Sequence, residues 1–309
     1  MKNILMAVIH WVIGVTITAA LIWLVEVLIG WRAVWDSWQL APSLVVLQSL
    51  FLFALSHALR AWRIYLFKSH SLGLGYGLTL KLSLIHQSLN NLLPMRLGEA
   101  SYPLLMKRYS ALSLIDASLD LIWLRVLDLI VMASLSIFIA ISYVCLELAI
   151  ATALMTTAAG GYVLVLARSL SDRAGMPDEE RGGLISALSR LGARGPISTT
   201  ELYWLLCLTA SAWAVKIGAI ALLAAALTDL SWLTVLGGIV AGELSGVLPV
   251  HGVAGAGTYE AAFVAGAISG GDTLEKLLLT SVSLHIFVIS STCALTFMSL
   301  PLGRAPRKN

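Results

Sequence analysis

The chain has 309 residues, of which 59% are hydrophobic and 12% charged, with a mean hydropathy of +0.89. Soluble domains carry about 45–50% apolar and about 25% charged residues, so this composition excludes a soluble globular protein and spends the length on membrane spans. The net charge of +3 comes from basic residues scattered among loops, which suits orientation in a membrane and not nucleic-acid binding.

The first apolar run covers residues 4–29. Lys2 ahead of it gives it the look of a signal peptide, but it is longer than a signal h-region and lacks a convincing cleavage site. It is expected to be a retained span. Five further runs, roughly 43–62, 116–142, 147–167, 202–227 and 277–300, also reach the length of about 20 apolar residues that a bilayer requires. Two more apolar stretches are interrupted. Residues 78–106 contain Asn90, Asn91, Pro94 and Gly98; residues 232–270 contain Pro249 and the run HGVAGAG at 251–257. Each reads as two half-helices with a break between them. The pattern predicts an all-α polytopic membrane protein with about six transmembrane helices and two re-entrant broken-helix hairpins.

The basic residues orient these spans. Lys2, Arg60, Arg63, Lys68, Arg96, Lys107, Arg108, Arg168, Arg173, Arg181, Arg190, Arg194, Arg304, Arg307 and Lys308 lie at or near segment ends and in the polar stretch 168–200; Arg32 and Lys276 alone fall in the alternate loops. The positive-inside rule then puts both termini and the 168–200 linker in the cytoplasm, of a bacterial inner membrane on this reading. Each interrupted hairpin must enter and leave on one side, 78–106 from the cytoplasm and 232–270 from outside. Residues 43–142 and 202–300 thereby become two repeats of opposite topology. Within the linker, Leu184, Ile185, Leu188 and Leu191 are spaced for one short amphipathic helix.

Breaks in a membrane helix survive only where protein or water covers the freed backbone, and inverted repeats with discontinuous helices place a transporter's site near the midplane. The stretch NNLLPMRLGE at 90–99 is therefore expected to wall a polar cavity. Gly98 removes bulk, Pro94 frees a carbonyl, and Asn90 and Asn91 supply donors and acceptors. Arg96 at the break suits a phosphate, which its planar fork can bind through two oxygens; the alternative is a snorkelling anchor. Glu99 is its candidate partner. Ionisable residues inside spans are costly. Arg125 and Asp128, at i and i+3, are spaced to pair, as a structural bridge or as part of a site. Asp116 and Asp120 precede them toward the cytoplasmic end. Lys216 with Glu243 would form a neutralising pair. Glu243 or Glu260 could carry a proton, although acceptance of backbone N–H groups around the glycine-rich bend is the more economical role for Glu260.

The sequence makes no catalytic case and calls for no cofactor. Cys145, Cys207 and Cys293 lie in apolar runs without disulfide or metal spacing. His10, His57, His70, His86, His251 and His285 show no metal-ligand pattern. GLGYG at 73–77 has neither the preceding strand nor the following lysine of a nucleotide loop.

Four stretches taken together resemble a known family: LRAWR (59–63), NNLLPMRLGEASYPLLMKR (90–108), WLRVLDL (123–129) and LPVHGVAGAGTYE (248–260). In that order they are similar to the lysylphosphatidylglycerol synthase transmembrane, or flippase-like, family, over nearly the whole chain. The resemblance implies handling of lipids, among them aminoacylated phosphatidylglycerol and hopanoid- or polyprenyl-linked lipids. It carries to Asn91, Pro94, Arg96, Gly98, Glu99, Arg125, Asp128, Pro249, Gly255, Gly257 and Glu260. Two departures stand out. The second motif has alanines between its glycines where the family usually has a Gly-Gly-x-Gly run, and no large soluble synthase domain follows the spans, so aminoacyl transfer is not expected. The leading expectation is a flippase for a lipid with a charged, phosphate-containing head group. A membrane-embedded lipid transferase and a non-transporting accessory to a lipid-modifying enzyme are the alternatives. The partner is a membrane lipid, anionic or polyprenyl- or hopanoid-linked, and self-association stays open.

Overall fold

The computed structural model of the protein describes the backbone of residues 2–110, 112–142, 144–173, 195–196, 198–248 and 252–303, and their side chains except at 2–10, 68–72, 94–96 and 166–173. The linker helix expected at 184–191, Pro249, and the side chains of Pro94 and Arg96 thus lie outside the described residues.

Every regular element among the described residues is helical. In chain order they are α1 (Lys2–Leu28), α2 (Trp31–Leu40), α3 (Ser43–Leu72), α4 (Tyr76–Leu92), a 3₁₀ segment (Pro94–Ala100), α5 (Ser101–Tyr109), α6 (Leu114–Ser142), α7 (Leu146–Arg173), α8 (Thr199–Leu227), α9 (Trp232–Ser245), a short 3₁₀ turn (Val253–Gly255), α10 (Thr258–Ala267), a second such turn (Ile268–Gly270) and α11 (Leu274–Ser299). Six of them, α1, α3, α6, α7, α8 and α11, are long and apolar enough to cross a bilayer. Their outer faces carry Trp23, Phe51, Leu129, Leu154, Met155, Tyr162 and Phe297, all exposed. That much uncovered apolar surface suits lipid and not water. The protein is an all-α polytopic membrane protein, as its composition predicts.

Both interrupted stretches break where expected. Leu93 is extended, and the chain then tightens into the 3₁₀ segment with Pro94 at its start, where a missing N–H does no harm. Gly98 is indispensable to this turn: a Cβ there would lie 2.3 Å from Asn90 Cα and 2.4 Å from the Leu89 carbonyl oxygen. The second break ends at Gly257, whose φ of +86° suits glycine and whose Cβ would strike Ile17.

The chain separates into two compact units. The first comprises Met1–Ala58, Leu80–Ser101 and Ala212–Leu302. Here α9 and α10 form a tight hairpin built on small residues. Gly238 faces the Phe263 ring, Gly242 faces the Tyr259 ring, and Gly266 lies against the Gly237 carbonyl, each too close to admit a Cβ. Such small-residue contacts drive helix association in lipid, where burial of apolar surface gains nothing. The hairpin packs on α11 through α10, and α1 reaches α11 and the 3₁₀ segments of both breaks. Hydroxyl contacts tie α4 to α11: Ser88 Oγ lies 2.7 Å from Thr296 Oγ1, which donates to the Leu84 carbonyl at 3.0 Å. Helix α2 was not legible as a helix beforehand. Its Val34 is buried with Val25, Leu278 and Val282, and Trp38 packs at their edge.

The second unit comprises Leu59–Thr79, Tyr102–Ser211 and Gly303–Asn309. Its helices α6 and α7 pack along their length, with Gly160 against Ile130 and Thr157 Oγ1 donating to Ser134 Oγ at 2.8 Å. Trp62, Tyr65 and Tyr76 form an aromatic cluster with ring centroids 5.3–6.1 Å apart.

Candidate functional site

Within the first unit, the two helix breaks meet: the 3₁₀ segment Pro94–Ala100 touches the turn Val253–Gly255. Beside this meeting point lies a cavity of about 90 Å³. Asn90 and Asn91 face it from the end of α4, and Lys216 from α8. Gly242, Glu243 and Ser245 come from α9; Gly255, Thr258 and Tyr259 come from the second break and the start of α10; His285 comes from α11.

Each wall is fixed by its own chemistry. Asn91 is held between α4 and α11, accepting from Gln87 Nε2 at 3.2 Å and donating to Thr292 Oγ1 at 3.5 Å. Behind Asn90, Ser101 Oγ donates to the Gly98 carbonyl at 2.6 Å and lies 2.8 Å from His86 Nδ1. Lys216 Nζ donates to Glu243 Oε2 at 2.5 Å, with both side chains at most 10% exposed. The same ammonium lies 5.3 Å from the Trp213 ring centre and 5.9 Å from that of Phe53, close enough for cation–π attraction. The expected Lys216–Glu243 pair is therefore present, and it lies in the cavity wall.

Glu260 is 3% exposed and uses both oxygens. Oε2 accepts from the Gly257 N–H at 2.7 Å, and Oε1 lies 2.6 Å from His285 Nδ1. The bend-capping role proposed for it from sequence is the geometry found, with His285 as a second partner that the sequence reading did not pair with it. Tyr259 stacks on His285, with ring centroids 4.3 Å apart and 21° between planes. Thr18 of α1 steadies the same bend, its hydroxyl accepting from the Val253 N–H at 2.8 Å.

The remaining candidates fall elsewhere. Gly255 lines the cavity and Gly257 shapes its rim. Gly98 positions Asn90. Glu99 is half-buried and is not among the lining residues. Arg125 and Asp128 belong to the second unit. Their pairing is real but secondary, with Nη1 and Oδ2 3.7 Å apart and Arg125 31% exposed. The principal partner of Asp128 is Arg63: Nη1 donates to Oδ1 at 2.7 Å and Nη2 to Oδ2 at 3.4 Å, while Nη1 also reaches Thr209 Oγ1 at 2.8 Å. This corrects the sequence reading on one point. Arg63, and Arg60 beside it, were counted as span-end charges, yet both are under 9% exposed because α3 continues to Leu72. A carboxylate bound by a guanidinium fork is a structural clamp.

Four polar or aromatic residues were not anticipated in the cavity: Ser245, Thr258, Tyr259 and His285. Hydroxyls disappear into apolar runs because helices satisfy them locally, as Ser245 does with the Gly242 carbonyl at 2.6 Å. His285 carried the one usable signal, an ionisable ring deep in a 26-residue apolar helix.

Residues 11–294 match the family described as lysylphosphatidylglycerol synthase TM region. The chain belongs to this family. No curated protein matches it. Membership ties the chain to a lipid-related membrane function, in agreement with the motifs read above.

Proposed function

We propose that the protein is a lipid flippase: it moves a lipid with a charged, phosphate-containing head group between leaflets while the acyl tails stay in the bilayer. The observation that carries this reading is the polar cavity where two helix breaks meet, lined by Asn90, Asn91, Lys216, Glu243 and His285. Irregular backbone at membrane depth is tolerated where it lines a cavity, and such breaks flank the sites of inverted-repeat transporters. On this reading 78–106 and 232–270 are re-entrant hairpins of two inverted repeats, 43–142 and 202–300. Arg96 engages the phosphate at the first break, and the Lys216–Glu243 pair forms the gate that the head group must open. The protein acts without changing the lipid chemically, as a multi-pass inner-membrane protein.

The test is scrambling of labelled phospholipid in liposomes. Glu243→Gln, which uncouples Lys216, and Arg96→Gln should each reduce scrambling at least about tenfold, the effect of losing an interaction to a charged group. Wild-type protein that moves no lipid, or full activity in both variants, would overturn the proposal. Turnover of lipid chemistry by the purified protein would favour a transferase instead.

A further inference from the structure

Glu260 and His285 form a buried ionisable pair inside the first unit. Both side chains are less than a tenth exposed, and Glu260 Oε1 lies 2.6 Å from His285 Nδ1. Ionisable groups at membrane depth are expensive and mark ion, proton or substrate paths. This pair also touches two parts of the site at once. Through Oε2, Glu260 accepts from the Gly257 N–H and so fixes the bend of the second break. The other edge of the His285 ring, Cε1 and Nε2, faces Gly255, and both residues line the cavity.

The charge beside the cavity turns on one proton. Among the described residues, Lys216 from α8 and Glu243 from α9 cancel each other. Tyr259 from α10 is a neutral phenol at physiological pH. Helix α4 lines the cavity with Asn90 and Asn91, while its His86 lies against Ser101. Helix α1 reaches the bend through Thr18, and its Glu26 accepts from the Trp31 N–H. On α2, Arg32 and Asp36 pair with each other, and Lys276 at the start of α11 pairs with Asp229 and Asp272. Arginine, Arg96 included, does not titrate. What varies is the Glu260–His285 pair. With Glu260 ionised, Nδ1–H donates to Oε1 and the pair carries one negative charge. One proton added at Nε2 makes it neutral, and the count is the same if the Nδ1 proton then passes to Oε1.

From this geometry we infer that the Glu260–His285 pair binds the proton that couples lipid movement to a proton gradient. The inference rests on the flippase reading and adds an energy source to it. The cavity, at about 90 Å³, is several times the roughly 10–15 Å³ that one water requires, so water delivers the proton to Nε2. A phosphate entering beside the unprotonated pair meets like charge; beside the protonated pair it does not. Proton and anion therefore raise each other's affinity by the same factor, and they cross together in one direction.

The experiment uses full-length protein in phosphatidylcholine vesicles carrying a trace of acyl-labelled phosphatidylglycerol, whose phosphodiester stays ionised near neutral pH. A pH difference is imposed while potassium and valinomycin hold the membrane potential at zero. One proton per lipid should enrich the label about tenfold in the alkaline-side leaflet for each pH unit of gradient. Glu260→Gln, which leaves an imidazolium no counter-charge, and His285→Gln, which removes the cavity-facing acceptor, should each abolish the enrichment. In detergent, dihexanoyl phosphatidylglycerol should stabilise the wild type against heat with at least about tenfold tighter binding at pH 6 than at pH 8, and Glu260→Gln should bind it alike at both. Label that equilibrates between leaflets but ignores the gradient sinks the coupling and leaves the flippase reading standing. Enrichment that persists in either variant, or loss of folding in both, makes the pair a structural clamp and overturns the inference. Label that never moves sinks the flippase reading, and the binding arm then decides the proton site: affinity independent of pH in the wild type overturns it.

Discussion

At the scale of single residues, the buried charges divide into those that hold the fold and those that face open space. Arg63 and Asp128 are the first kind. Removing one partner of a buried pair strands the other charge, so Arg63→Ala and Asp128→Ala should each cost about 3–5 kcal/mol, read as a lowered melting temperature in detergent. Arg125→Ala should cost much less, since its contact is 3.7 Å and partly exposed. Neutralising Arg63 and Asp128 together should recover part of the loss; a double mutant equal to the sum of the singles would show that they do not pair. Asp229 offers the contrast. It is 87% exposed and bound by Lys276 Nζ at 2.5 Å, and that hydrogen bond holds its carboxyl below the ordinary carboxylate value. Such a group stabilises above the unfolded pKa of about 3.9 and loses that contribution as pH falls through the lower folded value. Melting should therefore not respond to this pair between pH 5 and 8, and Asp229→Asn at pH 7 should change it little. The Arg125–Asp128 spacing was visible in the sequence because i and i+3 share a helix face. Arg63 was not, because its partner lies 65 positions away and its place near a span's end mimicked an interfacial anchor.

At the scale of elements, the six long helices could be located from composition, because a bilayer imposes length and apolarity together, although α3 runs on to Leu72, past the expected end at 62. The breaks were legible because a proline beside paired asparagines, and a proline beside a glycine-rich run, interrupt otherwise apolar stretches. Helix α2 escaped because its ten residues are too short and too mixed to read as a span; only contact with Val25, Leu278 and Val282 makes it a packed element. Gly98 carries the sharpest element-scale prediction. Its missing Cβ lets the 3₁₀ segment lie against the end of α4, where an added Cβ would strike the Asn90 backbone and the Leu89 carbonyl oxygen. Neither side of that contact is a flexible side chain, so Gly98→Ala must move backbone. The expected cost is about 1–3 kcal/mol, with Asn90 displaced from the cavity. A variant that melts like wild type and scrambles lipid at the wild-type rate would show that the two segments do not touch.

At the scale of the whole molecule, the proposed orientation in the bilayer rests on where the basic residues fall along the chain. Of the two basic residues in the loops assigned to the outside, Lys276 is matched by Asp229 at 2.5 Å and Asp272 at 3.5 Å, and Arg32 has Asp36 one turn along at 3.9 Å. The 168–200 linker gathers Arg168, Arg173, Arg181, Arg190 and Arg194. Retention of arginine and lysine on the cytoplasmic side is what orients spans, so withdrawing Arg60 and Arg63 from the count, now that both are buried, leaves the proposed orientation resting on the linker together with Lys2, Lys68, Lys107, Arg108 and the basic residues at 304–308. Cysteine labelling tests it directly. Cys145, Cys207 and Cys293 are unpaired and half-buried, and their replacement by serine or alanine gives a silent background. In that background a cysteine at Ser198 should react with a membrane-impermeant maleimide only after the cells are opened, and one at Asp229 should react in intact cells. Asp229→Cys gives up only an exposed ion pair, so folding is not at risk. Reaction of the Ser198 site in intact cells would reverse the orientation, and with it the sides from which the two hairpins enter. Reaction of both sites in intact cells would put an odd number of crossings out of the question between them and end the inverted-repeat assignment.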